Sequence, residues 1–153
     1  MSYIASLDQG TSSTRCMIFD SSGTVVAMAQ KEHEQFTPKP GWVEHDAGEI
    51  WRSTQEVIGK AIASGDISPN EIKAIGVTNQ RETIVAWDAQ TGAALHKAIV
   101  WQDTRTADFL NGLSAEVKED LIKRTGLAIA PYFSASKIHW LLNNVDAVKS
   151  ARA

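Results

Sequence analysis

Ile4-Ala5-Ser6-Leu7-Asp8-Gln9-Gly10-Thr11-Ser12-Ser13-Thr14-Arg15 is the stretch on which the fold of this chain is decided. An apolar run ends on the carboxylate of Asp8. A glycine and four hydroxyl side chains follow at once, then Arg15 and a second apolar run, Met17-Ile18-Phe19. That order predicts strand, tight turn, strand. Such a turn can present backbone N–H groups and hydroxyls to a phosphate. Asp8 stands where a metal ion accompanying that phosphate could be held. Gly10 admits a backbone path that a side chain would obstruct. The Walker A pattern G-x-x-x-x-G-K-[ST] occurs nowhere in the chain. The same residues also suit an ordinary polar hairpin turn, since Ser, Thr, Asp and Gly are common turn formers.

Outward from this turn the pattern continues. Strands are expected at residues 3–7, 15–19 and 24–32, with Asp20-Ser21-Ser22-Gly23 as a turn between the second and third. Three short-linked strands run antiparallel. Residues 37–41, Thr-Pro-Lys-Pro-Gly, break the pattern as a loop. Asp46 and Glu49 then form an N-cap with a capping-box partner. Ala47, Ile50, Trp51, Thr54, Ile58, Ala61 and Ile62 have the spacing of one helix face, and Gly65 is placed to end that helix. At most a helical turn fits at Ser68-Pro69-Asn70-Glu71 before residues 72–77 become strand-like. Strand, helix, strand is a crossover, so this fourth strand runs parallel to a neighbour.

Residues 83–87 and 94–100 flank Asp88-Ala89-Gln90-Thr91-Gly92 and read as a hairpin. Helices are expected at 104–113, at 115–124 with Val117, Leu121 and Ile122 inward, and at 135–145 with a stripe of Ile138, Leu141, Leu142 and Val145. Residues 149–153 carry no structural signal.

Composition bounds the function. At 153 residues one domain with a real core is expected. A net charge of −3 gives no hint of nucleic acid or of an anionic membrane surface. No apolar run approaches a membrane span, and no signal-peptide pattern is present. The single cysteine, Cys16, cannot close an internal disulfide, which favours a reducing cytoplasm. His33, His45, His96 and His139 show no zinc-ligand spacing.

Arg81 and Glu82 are the sharpest pair beyond the turn. A guanidinium only donates hydrogen bonds and a carboxylate only accepts them, so together they complement a polyol. They also suit a solvated ion pair at a strand end. Adjacent residues of a regular strand point to opposite faces. Both can therefore reach one small ligand only if the strand has ended or bulged there. Trp101 closes an apolar strand and could wall a site or pack in the core. Tyr132, after Pro131, could donate to a substrate hydroxyl or anchor its loop.

Asp8-Gln-Gly-Thr-Ser-Ser-Thr-Arg15 resembles the first phosphate motif of carbohydrate kinases with an actin-like ATPase fold. Pro40-Gly-Trp-Val-Glu-His-Asp46, Thr78-Asn-Gln-Arg-Glu-Thr83, Ala98-Ile-Val-Trp-Gln-Asp-Thr-Arg105 and Thr125-Gly-Leu-Ala-Ile-Ala-Pro-Tyr-Phe-Ser134 resemble the glycerol kinases of the FGGY family. The likeness runs in order from Tyr3 to about Val145. It implies an α/β, ribonuclease H-like domain: a mixed sheet with three antiparallel strands and a parallel crossover, flanked by helices. Activity would be transfer of the γ-phosphoryl of MgATP to glycerol. Thr11, Ser12, Ser13 and Arg15 would meet the ATP phosphates, and Asp8 would orient Mg²⁺ through water. Asp8 and Arg15 would thus support catalysis. Arg81, Glu82 and Tyr132 would hydrogen-bond glycerol, and Trp101 would line the pocket. Ser12 and Thr14 stand where Thr and Ser are commoner, and both keep a hydroxyl. The resemblance also implies that residues 1–153 are an N-terminal domain. The catalytic base, the adenine site and a C-terminal ATPase domain would lie beyond it, in a homo-oligomeric, cytoplasmic enzyme. A related sugar kinase and a non-catalytic actin-like nucleotide-binding module are the alternatives.

Overall fold

Along β2 (Ser13–Phe19), Thr14, Cys16 and Ile18 are buried and the residues between them are not. This is the period of two that seals one face of a strand. β2 pairs antiparallel with β1 (Tyr3–Gln9), which sets Asp8 directly opposite Arg15, and with β3 (Val25–Glu32) on its other side. The turn between β2 and β3 is tied by Asp20, whose Oδ1 accepts from the Ser22 and Thr24 N–H groups at 2.8 and 3.0 Å. The computed structural model describes residues 1–151.

Helix α1 (Ala47–Ser64) starts where the sequence places it: the Asp46 carboxylate accepts from the Glu49 N–H at 2.9 Å. The Glu49 carboxylate accepts from the Glu34 N–H, at 3.2 and 3.3 Å. Ser53, Thr54, Val57 and Ala61 form the buried face of α1. Trp51, expected on that face, is 62% exposed. The stripe centres on Val57, and at about 100° per residue Trp51 lies roughly 120° away around the axis. Gly65 ends the helix for want of space. A Cβ there would stand 2.7 Å from Ile67 Cδ1 and 3.0 Å from Ala27 Cβ. The left-handed turn itself is made by Asp66, at φ +50°.

A 3-10 turn (Pro69–Glu71) leads into β5 (Ile72–Thr78), parallel to β1 as the crossover requires. The sheet order is β3-β2-β1-β5. Its core joins Ala5, Cys16, Ile18 and Ala27 to Val57, Ala61 and Ile67. Burial pushes the Cys16 thiol up, away from reactivity. β5 lies at the sheet edge among the described residues, with Ile75 and Val77 exposed. These elements belong to one compact unit, Met1–Gln35 with Asp46–Gln80.

Lys31 on β3 and Lys60 on α1 both donate to Glu56, the latter at 2.6 Å. First the Lys31 hydrogen bond and then that of Lys60 hold its carboxyl down at about 2, against an ordinary 4.5. A depressed carboxylate stabilises fully above its unfolded value and loses that contribution as pH falls through its folded value. The urea midpoint should therefore drop more steeply between pH 4.5 and 2 in the wild type than in Glu56→Gln. Equal slopes would show that solvent screens these surface pairs completely.

The second unit comprises Phe36–His45 and the residues from Arg81 onward. β4 (Glu44–His45) pairs antiparallel with β6 (Ala98–Ile99), two short strands too brief to show a period. The hairpin expected at 83–100 is reduced to single bridges, Ile84 with Ile99 and Trp87 with Ala94. Its turn stands: Asp88 Oδ1 accepts from the Gln90 and Thr91 N–H groups at 2.9 and 2.7 Å, and Gly92 takes φ +72°. Helix α2 (Ala107–Asn111) is shorter than expected. Asp103 Oδ1 accepts from the Arg105 N–H at 2.8 Å, which holds the preceding residues in a turn.

Helix α3 (Ala115–Thr125) is capped by Ser114 and by Gly126 at φ +70°. The expected inward stripe is not buried: Val117, Leu121 and Ile122 are 45%, 37% and 46% exposed. An amphipathic stripe is buried only where another element covers it, and α3 has no buried residue. Helix α4 (Ser134–Asn144) buries Leu141 but leaves Ile138 exposed. A last helix, α5 (Asp146–Ala151), takes in residues 149–151, where the sequence carries no structural signal; residues 152 and 153 lie outside the described residues. No helix among the described residues is long and apolar enough to cross a membrane.

Candidate active site

The hairpin turn after β1 is closed by the Gly10 N–H, which donates to the Ser13 carbonyl at 2.9 Å. A Cβ on Gly10 would stand 3.1 Å from that carbonyl oxygen, so glycine serves close approach here. Ser12 is exposed, and Thr11 and Ser13 are half-buried. The Ser13 hydroxyl accepts from Gln30 Nε2 at 2.9 Å, which leaves its proton for another acceptor. Thr14 turns inward and donates to Gln9 Oε1 at 2.7 Å. The expected hydroxyl row thus divides, with Thr14 spent on the sheet.

Beside the turn, Arg15 Nη2 stands 3.5 Å from Asp8 Oδ2, with both side chains more than a third exposed. Arg15 Nε is buried and has no hydrogen-bond partner. The pair therefore offers a carboxylate and the exposed part of a guanidinium to anything in the turn. Among the described residues no three His, Cys, Asp or Glu side chains stand together as a metal cage.

β5 has already ended when the chain reaches Arg81 and Glu82, where the second unit resumes. Both lie in a turn, and Glu82 adopts φ +63°. A left-handed backbone at a non-glycine residue costs about 1–3 kcal/mol and is held only by its surroundings. What holds it is α4. Ser134 donates both its N–H and its hydroxyl to Glu82 Oε2, at 2.7 and 2.5 Å. Glu82 thereby caps a helix that begins 52 residues later and whose own N-cap position, Phe133, makes no side-chain cap bond. The opposite-face obstacle is removed because neither residue sits in a strand.

Tyr132 follows in the same loop, and its ring meets Trp101 edge to face at 5.9 Å. The Trp101 N–H donates to Thr83 Oγ1 at 3.3 Å, next to Glu82 in the chain. The structure thus brings Glu82, Trp101 and Tyr132 to one place through α4 and its preceding loop. Arg81 is exposed beside them.

Sequence reasoning overlooked Lys137 and the cluster around Arg105. Lys137 is completely buried on α4 and donates to the Pro131 carbonyl at 2.8 Å and the Tyr132 carbonyl at 2.5 Å. Desolvation lowers its pKa, against which the Glu82 and Asp103 charges push upward. Its spacing from Leu141, one turn on, is the signal that it faces inward. Arg105 Nη2 bonds Glu44 Oε1 at 2.7 Å and Asp103 Oδ2 at 2.8 Å. Its guanidinium carbon lies 3.7 Å and 4.6 Å from the ring centroids of Trp42 and Trp140.

Residues 3–152 match the family described as the FGGY family of carbohydrate kinases, N-terminal domain. The chain belongs to that family. Among FGGY relatives, glycerol kinase 2 of Streptomyces coelicolor is 53% identical over 148 residues, covering 96% of this chain and 29% of its own length. The glycerol kinase of Saccharopolyspora erythraea is 54% identical over 150 residues, covering 97% and 30%. The chain spans about 30% of the length of these curated FGGY proteins. Among solved FGGY structures, Plasmodium falciparum glycerol kinase with ADP superposes with a TM-score of 0.89 at 38% identity, over 98% of this chain and 30% of that one. Xylulose kinase from Rhodospirillum rubrum gives 0.85 at 29% identity, over 97% and 30%. The FGGY fold expected from the sequence, an actin-like ATPase domain with a mixed sheet, is the one observed.

Proposed function

We propose that residues 1–153 are the N-terminal, acceptor-binding domain of an ATP-dependent glycerol kinase that yields sn-glycerol 3-phosphate and ADP. One observation carries this reading: a strained left-handed turn holds Glu82 beside the Trp101–Tyr132 pair, in a chain 53% identical to a glycerol kinase along 96% of its length. Glu82 Oε1 accepts from a glycerol hydroxyl while Oε2 stays with Ser134. Arg81 and the Tyr132 phenol donate to the polyol oxygens, and the Trp101 ring packs on the carbon chain. The domain's task is to orient the acceptor and exclude water, since phosphoryl transfer is governed mainly by positioning and charge.

MgATP, when bound, supplies the transferable phosphoryl group and the divalent charge that offsets its phosphates. The residues present suit it. Ser12 and Thr11 flank the turn, Ser13 retains a proton to donate, and the Arg15 side chain is partly exposed beside them. Asp8 would hold Mg²⁺ through water. A lone carboxylate suits Mg²⁺, which keeps several waters and is bound by one or two carboxylates plus substrate phosphates. The adenine site, the base that takes the glycerol proton and the second domain belong to the longer enzyme proposed, which we place in the cytoplasm.

A coupled ADP-release assay on the full-length protein with glycerol, xylulose and gluconate tests the reading. Turnover should be greatest with glycerol, and a preference for a sugar would overturn the acceptor assignment. In that assay Arg81→Ala should lower glycerol kcat/KM about 10- to 100-fold, the worth of a charged hydrogen bond of roughly 1.5–3 kcal/mol. ATP KM should change less. An unchanged glycerol kcat/KM would remove Arg81 from the site.

A further inference from the structure

An ammonium group has three N–H donors and no acceptor. At Lys137 they face the carbonyls of three consecutive residues, Pro131, Tyr132 and Phe133, the last at 3.5 Å. Buried lysines normally answer to a carboxylate. This one is spent on the backbone of a single loop, and the middle carbonyl belongs to Tyr132. One turn earlier on the same helix, Ser134 holds Glu82 by two hydrogen bonds. The first turn of α4 therefore grips both sides of the cluster, the phenol-bearing loop through Lys137 and the carboxylate through Ser134.

We propose that Lys137, on the reading that Arg81, Glu82, Trp101 and Tyr132 bind glycerol, is the positioning residue of that site: its ammonium clamps residues 131–133 so that the Tyr132 phenol is held at the acceptor. It touches neither substrate nor phosphate. Its depressed pKa accords with a charge kept in a dry place for its geometry, with Glu82 and Asp103 partly compensating. A purely structural lysine would stabilise the unit without bearing on glycerol in particular.

The test compares Lys137→Met and Lys137→Gln in the full-length protein. Met has similar bulk and no donor; Gln retains two N–H donors. Met should raise glycerol KM at least tenfold with ATP KM unchanged, and hydrogen exchange should accelerate at the amides of Tyr132, Phe133 and Ser134. Gln should bind glycerol better than Met even where Met has the higher urea midpoint. Glycerol KM that follows urea midpoint instead of donor number would overturn the proposal, as would a wild-type glycerol KM in Lys137→Met. If the wild type does not phosphorylate glycerol, the functional reading falls by itself. The exchange measurement still judges the clamp, and unchanged exchange at 132–134 refutes it. If neither variant folds, the wild type decides: glycerol should slow exchange at these amides together, and no slowing counts against the clamp.

Discussion

Truncating Arg105 to alanine should lower the unfolding free energy by about 3–5 kcal/mol, the cost of breaking a buried ion pair from one side. The Arg105 and Asp103 side chains are both fully buried, and the Glu44 side chain is 9% exposed. Removing the guanidinium takes the cation from two carboxylates at once, and leaves Asp103 with the Val43 and residue-105 N–H groups. It also removes the cation that lies against the Trp42 and Trp140 rings. For a chain of this length the melting temperature should fall by roughly 6–20 °C. A lysine in place of Arg105 would keep the charge but not the planar fork that meets Glu44 and Asp103 while stacking on indole. Arg105→Lys should therefore recover only part of the loss. A melting temperature within about 2 °C of wild type in Arg105→Ala would show that water enters and solvates the carboxylates.

Glu82→Ala should reduce glycerol kcat/KM by about 100-fold or more in the full-length protein, with a smaller change in ATP KM. Two losses combine. On the proposed reading the polyol loses a charged acceptor, and Ser134 loses the carboxylate that receives its N–H and hydroxyl. Comparison with Glu82→Gly separates them from backbone strain. Glycine tolerates φ +63° without penalty, so this variant should be the more stable of the two while being no more active. If the glycine variant recovered glycerol kinetics, the carboxylate would have only a conformational role.

The antiparallel start of the chain was readable because its determinants are local. Alternation along β2, the Asp20 turn and the Asp46 cap each rest on residues a few positions apart. The crossover to β5 followed from element order alone. The residues proposed for the site could be named from the sequence, but not the contacts that hold them. Glu82 is held by Ser134 and Tyr132 by Lys137, one contact 52 residues apart and one made by a lysine beside the stripe read on its helix. The exposed side of α3 and the outward Trp51 failed for a related reason. Periodicity tells which residues share a face, but what covers that face is decided elsewhere in the chain.

β5 carries the chain toward Glu82, and it is also the last strand of its sheet. One of its edges has no partner strand among the described residues. Ile75 and Val77 are exposed along it, with Lys73 the strand's single charge. Bare edges of this kind are templates for intermolecular pairing, and β-branched residues with little charge make them adhesive. For residues 1–153 handled alone, this edge is then an expected site of self-association. Concentration, temperature and time in solution should be chosen with that strand in mind.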